Sequence, residues 1–227
     1  DLIPGGLPEI VCGANSHYGY YQANPDPTKP WTWHPVTRAG ACAGRFAHGF
    51  GVGDIDGDGR LDLIDQSKWW RQPTEIDSGQ PWEMRTWAAD SYGQGGAQIC
   101  VGDLDGDGDA DLVTSLNAHG YGLAWFEQLS GDRFVRHDIL GASSLDNPYG
   151  IAFSQLHAVA LRDLDGDGRL DIVTGKRWMA HQGKDVGGLQ EPVLYWLRSE
   201  TGADGIEFVP HQIDDRSGVG VEVLVAD

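Results

Sequence analysis

Two kinds of residue have types and spacing suited to chemistry: aspartates that recur at alternate positions, and histidines that recur at fixed offsets from them. The aspartates come in three runs, GDIDGDGRLD, GDLDGDGDAD and RDLDGDGRLD. The pattern D-x-D-x-D-G-x-x-D lets a tight loop turn several carboxylates toward one point, and its glycines permit the left-handed backbone such a loop needs. The expected ligand sets are Asp54, Asp56, Asp58 and Asp62; Asp103, Asp105, Asp107 and Asp111; and Asp163, Asp165, Asp167 and Asp171. Hard oxygen donors without Cys or His select Ca2+ over transition metals. The backbone carbonyls of Arg60, Asp109 and Arg169 are expected to add ligands. An EF-hand would place a bidentate Glu at loop position 12. Asp65, Thr114 and Thr174 stand there instead, and strand-like sequence follows. These are nine-residue loops of another kind.

The eight histidines fall into repeat classes. His34, His137 and His211 share the fourth position of WTWH, FVRH and FVPH, and are expected to be structural. His48 and His157 each lie six residues before a loop aspartate. His17 and His119 lie sixteen after one, and His181 lies eighteen after. Trp70 takes the sixteenth place in the second repeat, with Lys68, Trp69, Lys176, Arg177 and Trp178 expected nearby.

The elements that must position these residues are repeated too. The leading aspartates Asp54, Asp103 and Asp163 mark periods of roughly 50–60 residues, slightly above the usual span of a four-stranded propeller blade. Within each, an apolar strand (50–53, 99–102, 158–162) enters the Asp/Gly loop and a second strand leaves it (61–65, 110–114, 170–174). An aromatic third strand follows (YGYYQ, YGLAWFEQ, VLYWLRS), then a fourth (WTWHPV, WEMRTW, FVRHDI, FVPHQI). Four short strands per period, punctuated by Gly and Pro, predict an all-β fold: a β-propeller of four-stranded blades. The repeats run approximately 1–53, 54–102, 103–162 and 163–227. The first copy, DLIPGGLPEIV, is decayed: it aligns Asp1 with Asp54 and Glu9 with Asp62, while Ile3 and Gly5 replace the second and third aspartates. The C-terminal VEVLVAD has the character of a first strand, so residues 220–226 are expected to pair beside residues 8–12 and close a ring. The other reading is a segment cut from a larger propeller, part of a longer multidomain chain.

With three intact loop motifs and one decayed copy spanning its length, the chain resembles the FG-GAP/VCBS repeat family. That resemblance implies propeller blades carrying calcium in these loops. It is specific for fold and calcium, and says little about function.

Composition narrows the partners. Thirty-four acidic against sixteen basic residues give a formal charge of −18 over 227 residues. Such a chain is repelled by phosphate backbones and anionic lipid, which argues against nucleic acid as a partner. No apolar run is long enough to span a bilayer, so membrane insertion is not expected. Three cysteines without CxxC spacing make neither a zinc site nor a disulfide framework. Loops this acidic suit the millimolar calcium outside cells, so a secreted, periplasmic or cell-surface setting is expected.

Antiparallel pairing turns the histidine offsets into a place. Each calcium loop joins strands one and two at one face, so the start of strand one and the end of strand two lie at the opposite face. His17, His48, His119, His157 and His181 are therefore expected on one rim of a central channel, with Trp69, Trp70 and Lys176. Three readings stay open. The rim binds carbohydrate, another polar ligand or a protein; this binding module is the leading expectation. Alternatively, rim histidines hold a metal and the chain is a carbohydrate-active enzyme of lyase or dehydratase type. In the third reading the histidines bond across blades in a packed channel.

Overall fold

The computed structural model describes residues 2–42, 44, 47–76, 79–87, 95–203 and 205–226. Asp1 of the decayed copy lies outside them. Fifteen strands build four antiparallel sheets. The first holds β1 (Glu9–Ala14), β2 (His17–Gln22) and β3 (Thr32–Pro35). The second holds β4 (Phe50–Gly53), β5 (Asp62–Asp65), β6 (Lys68–Arg71) and β7 (Glu83–Thr86). The third holds β8 (Ile99–Gly102), β9 (Asp111–Ser115), β10 (Leu123–Ser130) and β11 (Arg133–Leu140). The fourth holds β12 (Val159–Arg162), β13 (Asp171–Gly175), β14 (Leu194–Gly202) and β15 (Gly205–Asp214). Strands follow chain order within every sheet.

Successive sheets share cores, because neighbouring residues of a strand face opposite ways. In β5, Leu63 joins Tyr18, Tyr20 and Trp82 between the first and second sheets, while Ile64 joins Trp87, Ile99 and Phe126 between the second and third. A further core, built on Val113, Trp125, Ile172 and Leu197, lies between the third and fourth. The first strands of the last three sheets lie side by side. A Cβ at Gly51 would stand 2.1 Å from the carbonyl oxygen of Ile99, so only glycine permits this approach. On the other side of β8, Val159 N–H donates to Gln98 Oε1 at 3.0 Å.

The C-terminal expectation is corrected: residues 220–226 form no strand, and the first sheet has three strands. Val219 bridges instead to Arg177, and Glu222 accepts a 2.9 Å hydrogen bond from Gln98 Nε2. Those contacts tie the segment to the 176–193 connection of the fourth sheet and to Gln98, just before β8.

Each sheet also carries an aromatic residue on its next-to-last strand facing a planar group on its last: Tyr20 with His34, Trp69 with Arg85, Trp125 with His137 and Trp196 with His211. Ring contacts of 4.5–5.0 Å join the three histidines to their partners. Arg85 lies 5.3 Å over the Trp69 ring. These are packing pairs, as expected for the three histidines.

Candidate functional site

The Asp/Gly loops connect the first and second strands of the last three sheets, where sequence places them. Three groups can hold a cation, their ligand atoms within 4.8 Å of one another: Asp54, Asp56 and Asp58; Asp103, Asp105 and Asp111; and Asp163, Asp165 and Asp167. The last aspartate of each motif has a second task that spacing did not disclose. Asp62 accepts the N–H of Ile55 and of Gln72; Asp111 those of Leu104 and Gln128; Asp171 those of Leu164 and Ser199. Each fastens its loop to the third strand, and all three are buried. Burial pushes the Asp62 and Asp111 carboxyls up to about 6 against these hydrogen bonds, with neighbouring loop aspartates raising them further. The loops differ in their counter-charge. Arg60 pairs with Asp58, and Arg71 pairs with Asp56 at 2.5 Å and Asp58 at 2.8 Å. Arg169 pairs with Asp167, and Arg198 with Asp165 at 2.6 Å.

Four of the five selected histidines meet. Ring centroids lie 5.1 Å apart for His48 and His119, 5.3 Å for His48 and His157, and 5.0 Å for His119 and His157. His181 stacks on His119 at 4.7 Å. The triad His48, His119 and His157 comes from segments beside three different sheets, and its candidate ligand atoms lie within 4.8 Å of one another. His48 and His157 precede β4 and β12; His119 sits in the 116–122 connection, and His181 in the longer 176–193 connection.

His17 does not join them. Sheet one links β1 to β2 through Asn15 and Ser16 alone, both at positive φ, the geometry of a tight hairpin turn. His17 thus opens β2, and its Nδ1 lies 2.6 Å from Thr37 O. Connection length likewise corrects Trp69 and Trp70. Gln66 and Ser67 alone join β5 to β6, so the sixteenth place falls inside a strand. Both indoles are buried, in opposite cores. They do not line a rim. Lys176 is fully buried, its Nζ 3.3 Å from Ser154 Oγ.

Asp185, which no repeat offset marks, completes the group. Its Oδ2 lies 3.0 Å from His119 Nδ1 and 2.8 Å from His181 Nδ1. Burial opposes ionisation of Asp185, but the hydrogen bonds of His119 and His181 outweigh it and hold the carboxyl below its ordinary value. A carboxylate on Nδ1 fixes the tautomer and leaves Nε2 of His119 as a lone-pair donor. His157 is 4% exposed, and neither ring nitrogen has a hydrogen-bond partner. Burial, then the charges of Arg177, His119 and His48, push its pKa down to about 3. It is a neutral imidazole with orphaned nitrogens, a state that suits a metal ligand. The group borders a cavity of about 730 Å³ lined by Tyr18, His48, Asp65, Asn117, His119 and Asp185.

No family match decides the matter. No protein-family model matches this chain, and a search of curated proteins finds no match. No described helix is long and apolar enough to cross a membrane. The Asp triads and the His triad are groups that can hold metal ions, and they differ in donor chemistry: oxygen in the loops, imidazole nitrogen at the rim.

Proposed function

We propose that the chain is a calcium-stabilised β-propeller of the FG-GAP/VCBS type. On this reading it works outside the cytoplasm as a metal-dependent enzyme on carbohydrate or a similar polar substrate. One observation carries the enzymatic reading over simple binding: three imidazoles from three sheets converge, and the most buried of them has both nitrogens unpartnered. Leaving such groups buried without a partner costs free energy, on the order of 1–3 kcal/mol each. A three-nitrogen set suits zinc or a similar first-row ion, whereas the Asp loops suit calcium. The loss of Trp69 and Trp70 from the rim removes the stacking platforms that a pure sugar-binding reading relied on.

The chain's own groups then have distinct tasks. His48, His119 and His157 would hold the ion, which when bound polarises a carbonyl or hydroxyl oxygen of the substrate. Asp185 orients His119. His181, exposed beside it and joined to the same carboxylate, is placed to hold or release a proton over the cavity. That combination fits the lyase or dehydratase class, in which a proton leaves a carbon next to a polarised group.

The test begins with the metal. Calcium-loaded protein is titrated with Co2+ and Zn2+ and followed by visible spectroscopy and calorimetry. One site per chain with a tetrahedral cobalt spectrum is expected, lost in His157→Ala and kept in His17→Ala. A chain that takes up no first-row ion, or loses none in His157→Ala, overturns the enzymatic reading.

A further inference from the structure

Beside the histidine triad lies a group of polar side chains whose charges and hydrogen bonds are unanswered. Gln155 is fully buried, and neither atom of its amide has a hydrogen-bond partner. Its backbone carbonyl accepts the backbone N–H of His157 at 2.9 Å and of Arg177 at 3.1 Å, which binds these three residues into one corner. Nε and Nη2 of Arg177 are buried and unpartnered as well. Lys176, next in the chain, is fully buried. Among the described residues neither cation forms an ion pair. Burial lowers the pKa of both, and only Asp185 acts in the other direction. That carboxylate's Oδ2 is already engaged by His119 and His181.

A fully buried ammonium beside a half-buried guanidinium whose Nε and Nη2 are sealed, with no counter-ion, is costly in a finished core. They make sense where an anion arrives. Nε and Nη2 form one edge of the guanidinium, the edge that meets a planar carboxylate with two parallel hydrogen bonds. The Gln155 amide offers a donor and an acceptor together, which suits a hydroxyl. We propose that Arg177, Lys176 and Gln155 form an anion subsite beside the metal centre, and that the substrate carries a carboxylate next to hydroxyls, as an acid sugar does. The assignment of this ligand as substrate rests on the enzymatic reading above; the subsite itself does not. On a chain of formal charge −18, such a cationic cluster is a local exception that selects its ligand.

Calorimetry in calcium buffer, with and without one equivalent of Zn2+, compares glucuronate and galacturonate with glucose, galactose and inorganic phosphate. Both uronates should bind at least about tenfold more tightly than the neutral sugars. Arg177→Gln should weaken uronate binding at least about tenfold while zinc uptake stays at one per chain, and Arg177→Lys should keep part of the affinity. If Arg177→Gln fails to fold, Lys176→Met serves: it should raise the melting temperature by removing an unpaired buried cation, yet weaken the uronates. Equal binding of neutral sugars, no uronate binding, or uronate binding indifferent to both variants overturns the proposal. Phosphate binding more tightly than the uronates overturns the acid-sugar assignment. Arg177-dependent uronate binding in a chain that takes up no zinc leaves the subsite standing and sinks the metal centre alone.

Discussion

Arg71 and Glu127 occupy the same place in their sheets: each precedes the residue, Gln72 or Gln128, whose amide the buried loop aspartate receives. Arg198 holds that place in the fourth sheet, before Ser199. Arg71 and Arg198 reach back to their loops, whereas Glu127 turns to His137 at 2.7 Å. The middle loop therefore has like charge where its neighbours have a counter-ion.

That difference makes the middle loop the most dependent on calcium. Burial and then the charges of Asp107, Glu127 and Asp103 raise the pKa of Asp105. A raised carboxyl contributes stability at low pH that is lost as pH rises through its folded value, so at neutral pH without calcium Asp105 is a liability. Asp105→Asn should raise the melting temperature in EDTA and lower it in calcium. At a calcium concentration 100 times Kd, a bound ion contributes about 2.7 kcal/mol. Calorimetry in both buffers checks it; a shift of the same sign in both would remove calcium from the account.

The buried loop aspartates should be costlier to lose than the exposed ones. Asp111→Ala leaves the Leu104 and Gln128 amides without acceptors, and about 2–5 kcal/mol is expected from two orphaned buried groups. Asp111→Asn keeps an acceptor and should cost less. Urea titration in saturating calcium measures both. Equal, small effects would mean these bonds do not fasten the loop to the third strand.

Asp185 is a positioning residue for His119. Asp185→Asn should weaken cobalt or zinc binding about 10–100-fold, the usual loss when a histidine's supporting carboxylate is removed. The melting temperature in calcium should move little, because the residue lies in an irregular connection. An unchanged metal affinity would detach Asp185 from the centre.

The Cys100 thiol should be nearly inert in the folded chain. Burial, then Glu222, pushes its pKa up to about 12, while its Sγ lies 3.2 Å from Val159 O. Against an ordinary value of 9.0, that leaves about a thousandfold less thiolate at pH 8. Iodoacetamide labelling read by mass spectrometry should miss Cys100 in native protein and find it after unfolding. Fast native labelling would contradict the packing of the Cys100 thiol against Val159 of β12.

Sequence alone determined what depends on local pattern: the strands that flank the Asp/Gly loops, the loops themselves, and the grouping of His48, His119 and His157. Period-two alternation and loop chemistry act over a few residues, and they repeat, so a single chain displays them several times. Only the tertiary structure decided what depends on connection length and on neighbours from other sheets. An offset of sixteen residues leads to the histidine group at His119 and into a strand at Trp70, because seven residues join β9 to β10 and two join β5 to β6. Asp185 carries no repeat signal and comes to His119 across a sequence separation of 66. Arg71 and Glu127 lie at different offsets from their loops, and only strand pairing makes them equivalent. Such relationships are set by which side chains face each other across sheets, and spacing along one strand does not encode that.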